Sequence, residues 1–196
     1  MRVCLIRHAA TRWNEEGRIQ GRIDVPLSAA GRAQAAAWRL PYGFMEAACV
    51  TSPLARARET AAILGFTDAG VDPRLAEMRW GAFEGRTLDE LRAEHGEAMR
   101  RLEVLGVDFR PPGGESPRLV AERLAACLRD LAATGRDHLL VAHKGILRAS
   151  LILALGWDML GKPPVRFEPE KALLYELGPS GSLRLLGVHP LREETA

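Results

Sequence analysis

Two short apolar runs, residues 3–6 and 139–142, lead straight into histidines: Arg7-His8 after the first and His143 after the second. Apolar runs this short, bounded by polar residues, read as strands buried on both faces. A third run, 47–50, has the same character. Two later runs, 173–177 and 183–188, flank Gly178-Pro179-Ser180-Gly181 and predict a hairpin. A sheet of doubly buried strands needs helices on each face. The intervening segments supply them. Ser28 is placed to cap a helix running to Leu40. Ser52-Pro53 puts a capping hydroxyl before a proline at the first helical position, for a helix to about Leu64 that stops at Gly65. Thr87 and Glu90 match a capping box for a helix through about Glu94. Ser116-Pro117 repeats the capping device before a stripe at 120, 124, 128 and 131. Residues 146–155, apolar almost all round, predict a buried helix ending at Gly156.

Strands alternating with helices predict an α/β fold, a three-layer α/β/α sandwich with a mostly parallel central sheet. At 196 residues this is one domain, 1–196. The polar segment 78–115 interrupts the alternation and ends in Pro111-Pro112-Gly113-Gly114. It reads as a short inserted lid beside the site.

Composition narrows the function classes. Hydrophobic residues at 47% and charged residues at 27% are those of a soluble globular chain, which excludes whole-chain disorder, collagen and coiled coil. Lys+Arg 27 against Asp+Glu 25 leaves a formal charge of +2, too small to point to nucleic acid. Lys144, Lys162 and Lys171 are the only lysines. Arginine suits bidentate binding of carboxylate and phosphate, but a GC-rich genome takes the larger share of that bias. Cys4, Cys49 and Cys127 are an odd number without a CxxC pair, so buried free thiols and a reducing compartment are expected. The apolar N-terminal run is too short for a signal peptide, and the stretch 146–157 falls well short of the ~20 residues of a membrane span. A cytoplasmic protein is expected, with no membrane or nucleic-acid partner. A homodimer is left open.

The chemistry-bearing residues fall in four places: Arg7-His8, Arg56, Glu77 and His143. Ligands of open α/β sheets bind at the carboxyl ends of the strands, where Arg7, His8 and His143 are expected. Arg56 lies in the first turns of a helix whose N-terminus favours anions. Two histidines, two arginines and a carboxylate suit phosphoryl transfer. A neutral imidazole attacks phosphorus and splits one hard step into two. Arg7, Arg56 and a protonated His143 stabilise the equatorial oxygens without a metal. A carboxylic acid protonates the leaving oxygen. Glu77 is the first choice for that acid, with Glu84 and Glu115 as neighbouring alternatives. No histidine–carboxylate spacing resembles a metal site, and no cofactor is implied.

The text LIRHAATRWNEEGRIQGRIDVPLSAAGRAQA at 5–35, TSPLARARETA at 51–61, LAEMRWGAFEGRT at 75–87, PPGGES at 111–116 and LLVAHKGILRA at 139–149 resembles the histidine phosphatase superfamily, in its phosphoglycerate-mutase-like branch. The resemblance implies His8 as nucleophile and Glu77 as proton donor. It implies Arg7, Arg56 and His143 as the phosphate pocket, Asn14 beside the nucleophile, and Thr11 and Gln20-Gly21 on the pocket rim. The chain departs from the family text at Ala9-Ala10, where Gly-Glu is usual, and at Lys144, where glycine is usual. Lys144 is an extra cation for the phosphate, a cation for a second anionic group, or a solvent-facing side chain.

Family mutases carry a longer insertion with an Arg-Arg pair in a Trp-Arg-Arg context. Here Arg100-Arg101 lacks that context, and the insertion ends in phosphatase-type PPGGES. The expected function is metal-independent hydrolysis of a small-molecule phosphate ester through a phosphohistidine on His8. A cofactor-dependent phosphoglycerate mutase and a phosphate-binding module without turnover are the alternatives. The spacing from Gly156 to Gly161-Lys162 imitates a nucleotide phosphate loop, but it follows a helix and Pro163 stands where Ser or Thr is required.

Overall fold

The first apolar run forms β1 (Arg2–Arg7), and its side chains alternate between two cores: Val3 and Leu5 face one, Cys4 and Ile6 the other. In the computed structural model, which describes residues 1–166 and 170–192, the chain continues through α1 (Arg12–Glu15), α2 (Ala29–Ala36), β2 (Ala48–Thr51), α3 (Ala55–Ile63) and β3 (Gly70–Val71). Then come α4 (Leu88–Glu103), α5 (Pro117–Ala132), β4 (His138–Ala142), α6 (Lys144–Leu155), β5 (Lys171–Leu177) and β6 (Leu183–Pro190). The sheet order is β3-β2-β4-β1-β5-β6. The first four strands in that order are mutually parallel, and β5 and β6 complete the sheet as an antiparallel hairpin.

Residues of α2 and α3 cover one face around Ile6, Leu139 and Val141. Residues of α5 and α6 cover the other around Leu5 and Leu140. This is the expected α/β sandwich with a mostly parallel sheet. Leu5, Ile6, Leu139 and Leu140 are at most 1% exposed, and burying each contributes roughly 1.5–3 kcal/mol.

Several helix ends differ from the sequence expectation. The helix α2 ends near Ala36, short of Leu40. Leu40 precedes Pro41, which disfavours helical backbone there, and the Arg39 N–H instead donates to the Leu191 carbonyl at 2.6 Å. The helix α3 starts after Leu54, not after Ser52. Asp24, from another segment, caps it by accepting from the Ala55 N–H at 2.8 Å. The Thr87 capping box is present, and the span α4 is two helical pieces joined across a kink at Gly96, whose φ 47° and ψ −115° are non-helical, so the first piece stops close to the expected Glu94 and a second continues to Glu103. The Ser116 cap, α5 and the end of α6 at Gly156 are as expected. Leu153 and Leu155 at the end of α6 are partly exposed, so only its first half is buried on all sides.

The segment 78–115 is joined to the main core. Its Met78, Phe83, Leu91, Met99 and Phe109 are buried in the same cluster as α5 and α6. The three cysteines are free; Cys4 and Cys127 are buried and Cys49 is half-buried. Among the described residues, no helix is long and apolar enough to cross a membrane.

Candidate active site

Sheet register places the two histidines side by side. Strands β1 and β4 are parallel neighbours with Arg7 opposite Ala142, and the His8 N–H donates to the Ala142 carbonyl at 2.9 Å. His8 and His143 therefore leave adjacent strands at one level, with ring centroids 5.0 Å apart and planes inclined by 57°. On the other side of β4, Thr51 of β2 pairs with Val141, and the Ser52 N–H donates to the Val141 carbonyl at 3.1 Å. Three neighbouring parallel strands thus deliver Ser52, His143 and His8 to one edge, at their carboxyl ends.

The hydrogen bonds give the two rings opposite roles. The His8 Nδ1–H donates to the Ala9 carbonyl at 2.7 Å, which leaves the Nε2 lone pair unprotonated. Ser52 Oγ accepts from the Leu54 N–H at 3.3 Å and lies 2.6 Å from His143 Nε2. With the serine hydroxyl as the donor in this contact, the imidazole proton sits on Nδ1. His143 Nδ1 is buried without a partner among the described residues, as are Arg7 Nε and Arg56 Nε. Three buried donors without acceptors are a cradle for an anion. Ser52, read from sequence as a helix cap, is instead the group that orients His143. Its position beside a strand end was the available signal.

Burial, reinforced by Arg7 and Arg56, holds the His8 pKa well below the usual histidine range. Burial and then His8, Arg56 and Arg7 do the same to His143. Both shifts favour the neutral rings in the free protein, where the sequence suggested a protonated His143. Three groups hold the loop after His8. The Ala9 N–H donates to Thr60 Oγ1 at 3.1 Å and the Ala10 N–H to Gln34 Oε1 at 3.0 Å; the Ala10 carbonyl accepts from the Ser28 N–H at 3.0 Å.

Arg7, His8, Asn14, Gln20, Gly21, Arg56, Glu77 and Lys144 line one cavity of about 810 Å³. His143 stands behind His8 and is fully buried, and Thr11 is also buried off the cavity wall. Thr11 caps α1 through a reciprocal pair with Asn14: Thr11 Oγ1 accepts from the Asn14 N–H at 3.3 Å, and Asn14 Oδ1 accepts from the Thr11 N–H at 3.1 Å. The buried Arg56 guanidinium donates to the carbonyls of Gly21 and Ile23, both at 2.9 Å. The Gln20-Gly21 rim is thereby tied to the arginine.

Glu77 accepts from the Met78 N–H at 2.8 Å and the Gly145 N–H at 3.0 Å. A Cβ on residue 145 would lie 2.2 Å from Glu77 Oε1, so the carboxylate keeps this position only against a glycine. The two alternative acids are committed elsewhere. Glu84 accepts from the Arg22 and Trp80 N–H groups, and Glu115 binds Arg123 and Arg22 and accepts from the Arg79 N–H. Neither lines the cavity. Glu103 does, but it pairs with Arg92 at 2.7 Å. Arg100 and Arg101 are exposed, face Glu97, and do not line the cavity.

The chain matches the histidine phosphatase superfamily (branch 1) over residues 3–181. It belongs to that superfamily. Members of this superfamily are phosphatases or mutases, so the histidine phosphatase fold here carries an enzyme. The chain is 38% identical over 161 residues to a protein named probable phosphoglycerate mutase GpmB from Escherichia coli O1:K1, covering 78% of this chain and 73% of that one. It superposes on the crystal structure of TTHB049 from Thermus thermophilus with 35% identity and TM-score 0.71, covering 97% and 100% of the two chains. It also superposes on a mycobacterial glucosyl-3-phosphoglycerate phosphatase in complex with VO3, with 28% identity and TM-score 0.78 over 97% and 98%.

Proposed function

We propose that this histidine phosphatase hydrolyses a small phosphomonoester through a covalent phosphohistidine on His8. The observation that carries this reading is the geometry of the two rings: His8, whose Nδ1–H is held by the Ala9 carbonyl so that Nε2 is left unprotonated, 5.0 Å between centroids from His143, whose buried Nδ1 has no partner among the described residues. The phosphoryl oxygens lie among Arg7, Arg56 and His143, which act as preorganised donors. His8 Nε2 attacks phosphorus as the ester P–O bond breaks, and Glu77 in its acid form gives its proton to the leaving oxygen. The Nδ1–H stays on the Ala9 carbonyl, which stabilises the positive charge the phosphorylated ring acquires. A water then attacks phosphorus, its proton returns to Glu77, and the N–P bond breaks to restore neutral His8. Positive charge comes from Arg7, Arg56 and the cations beyond them, so no metal takes part in this scheme. A cavity of about 810 Å³ is of small-metabolite size.

Hydrolysis is preferred over a phosphoglycerate mutase because Arg100 and Arg101 face Glu97 outside the cavity. The relative named probable phosphoglycerate mutase GpmB favours the mutase as the second reading. The test is phosphate release from p-nitrophenyl phosphate in EDTA, for the native chain and His8→Ala. Turnover that survives EDTA and vanishes in the variant supports the proposal. Isomerisation of 3-phosphoglycerate without phosphate release would replace it with the mutase. Binding without either reaction would leave a phosphate-binding module.

A further inference from the structure

Glu115 and Arg123 stand behind the acid and off the cavity wall. Between them they hold the turn that carries Glu77 at three points. From α5, Arg123 donates through Nη1 to the Arg74 carbonyl and through Nη2 to the Glu77 carbonyl, the latter at 3.3 Å. The Arg79 N–H donates to Glu115 Oε2 at 2.8 Å, and the Glu115 N–H donates to the Arg79 carbonyl at 2.8 Å. The two side chains also meet each other, Nε to Oε1 at 3.2 Å and Nη2 to Oε2 at 3.3 Å. Residues 76–80 belong to no helix or strand, so side-chain bonds take the place of a backbone ladder in fixing this main chain.

Stability gives little reason for such a pair. Its side chains are only 16% and 15% exposed. Taking two charges out of water is costly, and a well-packed apolar pair of similar volume is often at least as stable. Burial raises the Glu115 pKa, but the Arg79 N–H, Arg123 and Arg22 outweigh it and hold the carboxyl below its ordinary range. An apolar pair lacks direction. The planar guanidinium fork reaches two carbonyls and a carboxylate at once, each at a set angle. The same Glu115 Oε2 accepts from Arg22 Nη2 at 3.3 Å. Arg22 follows Gly21, whose carbonyl accepts from Arg56. The pair thereby joins the acid's turn to the rim of the phosphate pocket.

We propose that Glu115 and Arg123 are the positioning pair of the acid: they fix the main chain that carries Glu77, so that its carboxyl meets the leaving oxygen beside His8. Neither side chain touches substrate. The inference rests on the hydrolase reading for the task of Glu77, but the place of the carboxylate can be read without turnover. The Gly145 N–H lies in the first turn of α6, where no helical carbonyl is available to it. Among the described residues it donates only to Glu77, at 3.0 Å to Oε1 and 3.3 Å to Oε2. Its exchange with solvent therefore reports whether the carboxylate is in place.

Two full-length variants test the pair, and if one does not fold the other decides. Glu115→Gln sets an NH2 group against the Arg123 fork in either amide orientation, because both carboxylate oxygens face that fork. Arg123→Lys leaves one nitrogen to serve two carbonyls and a carboxylate. Amide hydrogen exchange at Gly145 should speed up about tenfold, while the Leu140 and Val141 amides of β4 stay within about twofold. In parallel, kcat/KM should fall about fivefold for phenyl phosphate and less than about twofold for p-nitrophenyl phosphate, whose leaving group needs little help from an acid. A general loosening of the fold would move the β4 amides and both esters together. Unchanged exchange at Gly145, or a loss that is absent or equal for the two esters, overturns the positioning role. A native chain that hydrolyses neither ester overturns the hydrolase reading, and exchange at Gly145 alone then decides the positioning.

Discussion

At one end of the cavity Ser52, His143 and His8 follow three hydrogen-bonded parallel strands, and backbone register sets their spacing. At the other end Trp80, Leu88, Met99 and Phe109 come from the segment between Glu77 and Ser116, which contains a kinked helix and short turns. The first end is specified by main-chain bonds that any sequence of suitable strands would form. The second depends on which side chains a non-repetitive segment happens to turn inward. Chemistry therefore sits on the part of the fold that tolerates least change, and substrate choice on the part that tolerates most.

The largest effects should come from breaking the rigid end. His8→Ala removes the nucleophile and should lower kcat for aryl phosphate by on the order of 10⁴-fold or more. Acid quench after mixing with ³²P-labelled substrate should leave no label on the variant. Gly145→Ala tests the positioning of Glu77, since the added Cβ falls 2.2 Å from its Oε1. Displacing the acid should cost roughly 10²-fold with an alkyl phosphate and much less with p-nitrophenyl phosphate, whose leaving group needs no proton. An equal loss with both substrates would assign Gly145 a structural part only.

The same contrast explains what was legible in the sequence. Apolar runs ending on His8 and His143 could be read because strand burial and ligand position at strand ends are general rules. The sandwich and the hairpin followed from the same periodicity. Ser52 was misread because Ser-Pro is a strong local cap signal; the hydroxyl is instead consumed by His143, and Asp24, distant in sequence, caps α3. Competition between a local and a long-range partner cannot be seen along one chain. Glu84 and Glu115 stayed open beside Glu77 for the same reason, since only folding shows which carboxylates are occupied by arginines and amides. Lys144 stood out as a departure, but its place on the cavity lining emerged only with α6 in position.

Intermediate effects probe how the rigid end is tuned. Ser52→Ala removes the proton donor to His143 Nε2 and should lower kcat/KM about tenfold by mixing tautomers. The checking measurement is the ¹⁵N spectrum of the His143 ring, which should lose its single Nδ1–H form; an unchanged spectrum would remove Ser52 from this role. Burial and the neighbouring arginines hold His8 neutral below the ordinary histidine pKa of about 6.5. The acid limb of kcat/KM, which reports the free enzyme, should therefore lie below that value once substrate ionisation is divided out. The unfolded chain takes up these protons near pH 6.5 and the folded chain does not, so stability should fall as pH drops below about 6.5. Thermal melts between about pH 5 and 8 check the sign.

The helix that begins beside His143 carries a group that titrates in a different window. Burial, then Arg148 and Arg7, push the Lys144 ammonium down to about 8. Any preference for a doubly anionic ligand should therefore be full near pH 7 and decline above pH 8. A ratio of affinities that stays flat from pH 7 to 9 would contradict Lys144 as its source.

The smallest effect separates the two reaction classes. Arg100 and Arg101 are more than two-thirds exposed along their side chains, and both point to Glu97. Replacing both with alanine removes exposed ion pairs, which contribute little to stability because solvent screens them and long side chains lose entropy in forming them. If the Arg pair stays outside the cavity, the double variant should keep kcat/KM within about twofold for 3-phosphoglycerate and glycerol 3-phosphate alike. If the segment around α4 instead swings its Arg pair over a bound carboxylate, the loss should be selective for 3-phosphoglycerate and should exceed about tenfold. A near-silent double variant therefore keeps the Arg pair out of substrate recognition, and a selective loss places carboxylate recognition on the variable wall.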